Sequence, residues 1–193
     1  MHIHGTDVVL FLHILVAIIT FGVAGVLLVS LSQLKGANDV ATVRIWARIS
    51  ARTGPMFPIL VLILIGLGAW LIGLSHSEFK WSDGWVITAV TTLVLMEAYG
   101  GSVLAPADRK LSAAVNEAPD GPISAEIRKE ILNPLVWAGS YGNTGAALGI
   151  LFTMPTKPSG GAAVAIVAGA AIVGVATGLF LASSGVKATQ PAA

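Results

Sequence analysis

Two ionisable side chains lie inside the long apolar runs of this 193-residue chain: His13 in the first run and Glu97 in the third. An ionisable group in hydrocarbon is costly, so each is a functional hypothesis by default. A neutral imidazole at His13 can hydrogen-bond across helices. It can equally serve as an axial ligand to haem or as a metal ligand. His76, at the end of the second run, would supply a second haem ligand if its loop folds inward. His2 and His4, with His13, Asp7 and Glu78, form a set compatible with copper or zinc. Glu97 also has two readings. It is either protonated or hydrogen-bonded glue between helices, or a proton or cation site in a hydrated cavity.

The elements that carry these residues follow from composition. Hydrophobic residues make up 55% of the chain and charged residues 11%, against about 25% charged in a soluble domain. So little polar surface cannot cover a water-facing globule. One compact all-α membrane domain over residues 1–183 is expected, with a disordered tail over 184–193. Net charge is +1, and nothing suggests nucleic acid as a partner. Without cysteine, disulfides, thiolate metal sites, iron–sulfur clusters and covalent haem attachment are excluded. No nucleophile–base pair, P-loop or zinc-hydrolase motif is present, and no enzyme class is assigned.

Five spans are expected, over 8–34, 55–74, 85–105, 134–153 and 162–182. Each is close to or above the ~20 helical residues that cross ~30 Å of hydrocarbon. The first lacks a basic leader and a cleavage site, so it reads as a retained span. Lys35, Arg44, Arg48, Arg52, Arg109, Lys110, Arg128, Lys129 and Lys187 fall on one side, against Lys80 and Lys157 on the other. That asymmetry places the N-terminus outside and the C-terminus in the cytoplasm. The expected location is the cytoplasmic membrane of a bacterium.

The connections carry further detail. Val40–Arg52 reads as a short helix along the inner membrane surface, ended by Gly54-Pro55. Arg44, Arg48 and Arg52 recur every four residues on one face and suit lipid headgroups. Asn116–Pro122 reads as a linker. Ser124–Leu132 reads as a second surface helix, with Ser124 as its N-cap and Asn133-Pro134 as its stop.

Helix rise converts sequence position into depth. His13 should lie roughly 8 Å, and Glu97 roughly 18 Å, below the outer edge. At the level of Glu97, a central polar layer is expected from Thr20, Asn143, Tyr99 and Tyr141. At the level of His13 fall Trp70, Thr88, Thr91 and Thr92. Gly139, Gly142, Gly145 and Gly149 of the fourth span permit close helix packing, or leave room for a flat ring such as haem. Gly174 and Gly178 of the Ala/Gly-rich fifth span have GxxxG spacing. That span should lean on its own bundle or on another membrane protein.

Several short motifs carry a resemblance. They are Leu12-His13 followed by Phe21-Gly22-x-x-Gly25, then Leu104-Ala105-Pro106 running to Asp108-Arg109-Lys110-Leu111, and then Leu151 to Met154 with Lys157-Pro158. Over residues 8–158 the chain resembles the CopD-like superfamily, in particular its predicted integral membrane protein branch. The superfamily includes copper-resistance CopD and HemJ-type proteins. The resemblance implies a four-helix bundle with a histidine in the first helix, here His13; the fifth span is additional. The expected function is binding of haem b or a metal ion such as copper near His13, for redox or metal handling. The alternatives are a non-catalytic accessory subunit of a larger membrane complex and a transporter of copper or another small cation.

Overall fold

The computed structural model describes residues 4–75 and 78–184, and every regular element among them is a helix. In order these are α1 (Gly5–Gly36), α2 (Val40–Thr53), α3 (Met56–Leu74) and α4 (Gly84–Tyr99). A π-helical turn (Gly100–Leu104) follows, then α5 (Ala105–Glu117), α6 (Ala125–Ile131), α7 (Pro134–Thr156) and α8 (Gly160–Ser184). Helix is the outcome expected where lipid offers backbone groups no partner. Four helical stretches are long and apolar enough to cross a membrane: Gly5–Gly36, Val40–Leu74, Gly84–Glu117 and Gly160–Ser184. This is a multi-pass membrane protein. At 23 residues α7 has the length for a fifth crossing, but Ser140, Asn143, Thr144 and its glycines make it the least apolar of the long helices. Ser184, assigned by sequence to the tail, ends α8; residues 185–193 lie outside the described residues.

Two expected boundaries turn out to be continuations. Gly54 and Pro55 keep right-handed helical torsions, so α2 runs into α3 without a loop. Proline's φ suits a helix, and only one N–H donor is lost. The third span continues past Ala105 to Glu117 as α5. Pro106 should disrupt such a helix, because its ring crowds the carbonyl four residues back. The π turn lies directly before it, and the Ala105 N–H reaches back to the Gly100 carbonyl. The 34-residue path Gly84–Glu117 is about 51 Å long. That exceeds the ~30 Å hydrocarbon layer, so α5 projects beyond it.

The projecting part packs into a small apolar core at the Lys/Arg-rich end. Val40, Val43 and Ala47 of α2, the face a surface helix would give to lipid, are buried against Leu111 and Val115 of α5 and Ile127 and Ile131 of α6, with Leu34 of α1. An isolated bridge between Asp39 and Pro122 closes the corner, and the Val40 N–H donates to the Gly121 carbonyl at 2.9 Å.

Helix ends at this core are satisfied by cations from distant elements. Arg44 donates to the Val115 carbonyl at 3.0 Å and the Ala118 carbonyl at 2.9 Å, closing the C-terminus of α5. Arg128 donates to the Lys35 and Ala37 carbonyls at 3.0 and 2.8 Å, closing α1. Lys35 donates to the Leu181 carbonyl and, at 2.8 Å, to Ser184 Oγ, closing α8. The last carbonyls of a helix lack intrahelical partners and carry the negative end of its dipole, so each cation meets both needs.

Helix starts are capped locally, at Ser124 as the sequence suggests and also at Asn133 and Asp39. Ser124 Oγ accepts from the Ile127 N–H and Asn133 Oδ1 from the Leu135 N–H. Asp39 caps α2, accepting from the Thr42 N–H at 2.8 Å and the Thr42 hydroxyl at 2.9 Å. These bonds, the backbone one first, hold its carboxyl below the usual carboxylate range. A depressed carboxyl stabilises the fold above its unfolded pKa of ~3.9 and loses that contribution as pH falls through its folded value. Asp39→Ala should therefore lower the melting temperature slightly at neutral pH. The gap to wild type should close in melts run in acid below that range. A gap that persists in acid would show that Asp39 does not act as a charged cap.

Candidate functional site

His13 lies in the N-terminal half of α1 and is half-buried. Its neighbour is α3, not α4. A Cβ added at Gly68 would sit 3.5 Å from the imidazole Cε1, so the ring edge rests on a position without a side chain. Of the residues expected at its level, Trp70 is 58% exposed and turned to the surroundings. Nδ1 of His13 is buried and makes no hydrogen bond of good geometry among the described residues, although the Leu64 backbone carbonyl stands close to the imidazole. A buried polar atom left unpaired costs on the order of 1–3 kcal/mol, and such exceptions are few in native structures. Sequence carried no signal for Gly68 as its neighbour.

The expected histidine sets do not assemble among the described residues. His4 is exposed at the start of α1, where its backbone N–H donates to the Asp7 carboxylate at 3.0 Å. Nine residues of helix separate His4 from His13, about 14 Å of rise, so the two cannot hold one ion. His2 and His76 lie outside the described residues. No three His, Asp or Glu side chains gather in a metal-binding group among the described residues.

The central polar layer is not joined by hydrogen bonds. Thr20 is buried, and its hydroxyl donates back to the Val16 carbonyl at 2.7 Å. The Tyr99 hydroxyl donates to the Leu135 carbonyl at 2.8 Å, and its ring covers Gly139. Tyr141 stacks on Trp137 with ring centroids 6.0 Å apart. Both tyrosines thus serve packing towards the Lys/Arg-rich end. Glu97 and Asn143 are half-buried and make no side-chain hydrogen bond among the described residues. Glu97 stands three residues before the π turn, an element that often marks functional positions and leaves no pattern in sequence.

Of the two roles open to the α7 glycines, close packing is the one built. A Cβ at Gly145 would overlap the Ala170 carbonyl, and one at Gly149 would lie 2.8 Å from Val167 Cα. Gly174 and Gly178 meet the Tyr141 and Trp137 carbonyls in return. The GxxxG face of α8 therefore docks on its own α7, and the space left beside the contact is an open, mostly apolar groove of ≈ 350 Å³ between Tyr141, Thr144 and Leu148 of α7 and Val173 and Thr177 of α8. Trp137, 1% exposed, anchors the lower end. Its Nε1–H donates to the Ile131 carbonyl at 2.8 Å, and Lys35 Nζ stands 5.5 Å from its ring centroid.

The three arginines of α2 divide. Arg44 is committed to α5, with an ion pair to Asp120 at 2.7 Å. Arg48 and Arg52 are exposed and make no ion pair among the described residues.

No family model matches the chain, and no curated protein or solved structure matches it.

Proposed function

We propose that this protein is a small, five-span cytoplasmic-membrane protein, N-terminus outside, that binds haem b or a metal ion through His13 for redox or metal handling. One observation carries the reading: the imidazole keeps a buried nitrogen, Nδ1, that makes no hydrogen bond of good geometry among the described residues, although the Leu64 carbonyl stands beside the ring. A coordinate bond would supply a partner. The described residues would offer haem one protein ligand, the imidazole of His13, as some haem proteins do. They do not suit an ion that needs three protein ligands, because no such set is gathered among them. Haem bound there would supply one-electron redox chemistry. The chain's own part is to hold the ring between α1 and α3. The CopD-like resemblance, which points to a first-helix histidine, supports the same residue. α7, paired lengthwise with the more apolar α8, joins the four helices apolar enough to cross a membrane as a further span. Arg48 and Arg52 are left to meet lipid headgroups.

A second reading, an accessory subunit of a larger complex, is favoured by Gly22 and Gly25. No atom of another described element lies within 4 Å of a Cβ added at either, so these small residues of α1 serve no helix packing among the described residues. The two readings part in one preparation. Gentle extraction should yield a haem absorption band or a stoichiometric metal, lost in His13→Ala. Co-purifying membrane proteins without chromophore or metal would favour the subunit.

A further inference from the structure

At the end opposite the arginines, the α3–α4 connection meets the α7–α8 turn. Between them lies an open cleft of ≈ 370 Å³. Its walls include Glu78, Phe79, Asp83, Trp85, Lys157 and Ser159. We propose that this cleft is a binding site for an alkylammonium group presented at the outer membrane interface.

The aromatic wall provides the first argument. Phe79 and Trp85 meet edge to face, centroids 5.9 Å apart and planes at 85°, so each ring is fixed by the other beside the cleft. The electron-rich face of an aromatic ring attracts ammonium groups. The chain itself demonstrates this: Lys157 Nζ stands over the Phe79 ring, 4.0 Å from its centroid. An alkylammonium already occupies the position that a ligand's ammonium would take.

Charge provides the second. Glu78 and Asp83 contribute two carboxylates to the lining and Lys157 one ammonium, so the cleft is one negative charge out of balance. Asp83 is held in place by the Lys80 N–H at 2.9 Å. Glu78 is exposed and makes no side-chain hydrogen bond among the described residues.

Rigidity provides the third. Gly84, at the start of α4, and Gly160, at the start of α8, touch backbone to backbone, and a Cβ at Gly84 would overlap Gly160 Cα. Lys157 has φ +44°, the one non-glycine residue with positive φ among those described, a conformation disfavoured for side-chain-bearing residues. The cleft is thus braced, while the Lys157 side chain that fills its aromatic face is exposed and free to swing out. Lys157 is a resident competitor, and an incoming ammonium displaces it.

The chemistry has two sources, a soluble amine or the ammonium of a phospholipid headgroup. Full-length protein would be titrated in detergent with tetramethylammonium and with choline, using Trp fluorescence. In parallel it would be reconstituted in nanodiscs of phosphatidylglycerol, with and without phosphatidylethanolamine or phosphatidylcholine, and retained lipid read by native mass spectrometry. Saturable binding of the soluble ammoniums identifies the first source. Selective retention of the ammonium-bearing lipids identifies the second. Lys157→Met should tighten binding, and Phe79→Leu should weaken it about fivefold, the size of an exposed cation–π contact. The Glu78→Gln, Asp83→Asn pair should weaken it further. If no ammonium probe binds in either format, if potassium competes equally at equal ionic strength, or if Lys157→Met weakens binding, the proposal fails. Circular dichroism melts establish that each variant is folded.

Discussion

Leucine at Gly145 is expected to separate α7 from α8 and to cost the protein more stability than any other single substitution considered for this fold. The argument is steric. A Cβ at Gly145 overlaps the Ala170 carbonyl oxygen and lies 3.0 Å from its carbonyl carbon. Backbone cannot swing aside as a side chain can, so the whole helix must move. Movement would also loosen the reciprocal contacts at Gly149, Gly174 and Gly178. Overpacking typically costs 1–3 kcal/mol, occasionally more, and loss of a glycine-mediated interface belongs at the upper end, about 3 kcal/mol or above. For a chain of this size that is a fall of roughly 6–12 °C in melting temperature. The control is Gly169→Ala on the same helix pair. Nothing lies within 4 Å of a Cβ there, and alanine is the better helix former, so this variant should melt at or slightly above wild type. Equal melting of Gly145→Leu and wild type in detergent would show that the two helices do not pack this closely.

Methionine at Arg44 is expected to produce the second largest loss, while the same substitution at Arg48 or Arg52 should leave melting unchanged. The three residues share one spacing on one helix and differ only in what they reach. Arg44 donates to the Val115 and Ala118 carbonyls and pairs with Asp120. Its loss leaves the end of α5 without donors beside a packed core. Hydrogen bonds from a charged donor contribute ~1.5–3 kcal/mol each. The carbonyls are only partly shielded and water recovers some of that, so about 2–3 kcal/mol in total is expected. Melting curves of the three variants side by side decide it. Three equal, small shifts would mean that Arg44 faces lipid headgroups as its neighbours do.

This contrast shows where sequence reading reached its limit. The long helices were legible because apolar runs and the lipid's lack of backbone partners leave one solution. The cap at Ser124 was legible because its partner, the Ile127 N–H, lies three residues on. The partners of Arg44 and Lys35 were not. Arg44 reaches a carbonyl 71 residues away and Lys35 one 146 residues away, and neither target has any side-chain identity to recognise. A backbone carbonyl looks the same in every residue, so a helix-capping arginine and a headgroup arginine have the same signature. The third span also runs past residue 105, its expected end: the π turn over Gly100–Leu104 carries the helix through Pro106. At the candidate site, His13 stood out because imidazole is rare in an apolar run. Its buried nitrogen without a well-formed hydrogen bond is a three-dimensional fact, as is the absence of hydrogen bonds between Thr20, Asn143 and Glu97. Depth arithmetic set these residues at one level without knowing which way they face.

The functional account rests on His13 taking a bond from outside the protein. The most direct measurement is a visible absorption spectrum with metal analysis on protein extracted gently from its native membrane, compared with His13→Ala at matched melting temperature. The account predicts a haem band or a stoichiometric metal in the wild type and its loss in the variant. A blank wild type, or a band or metal undiminished in His13→Ala, would contradict it.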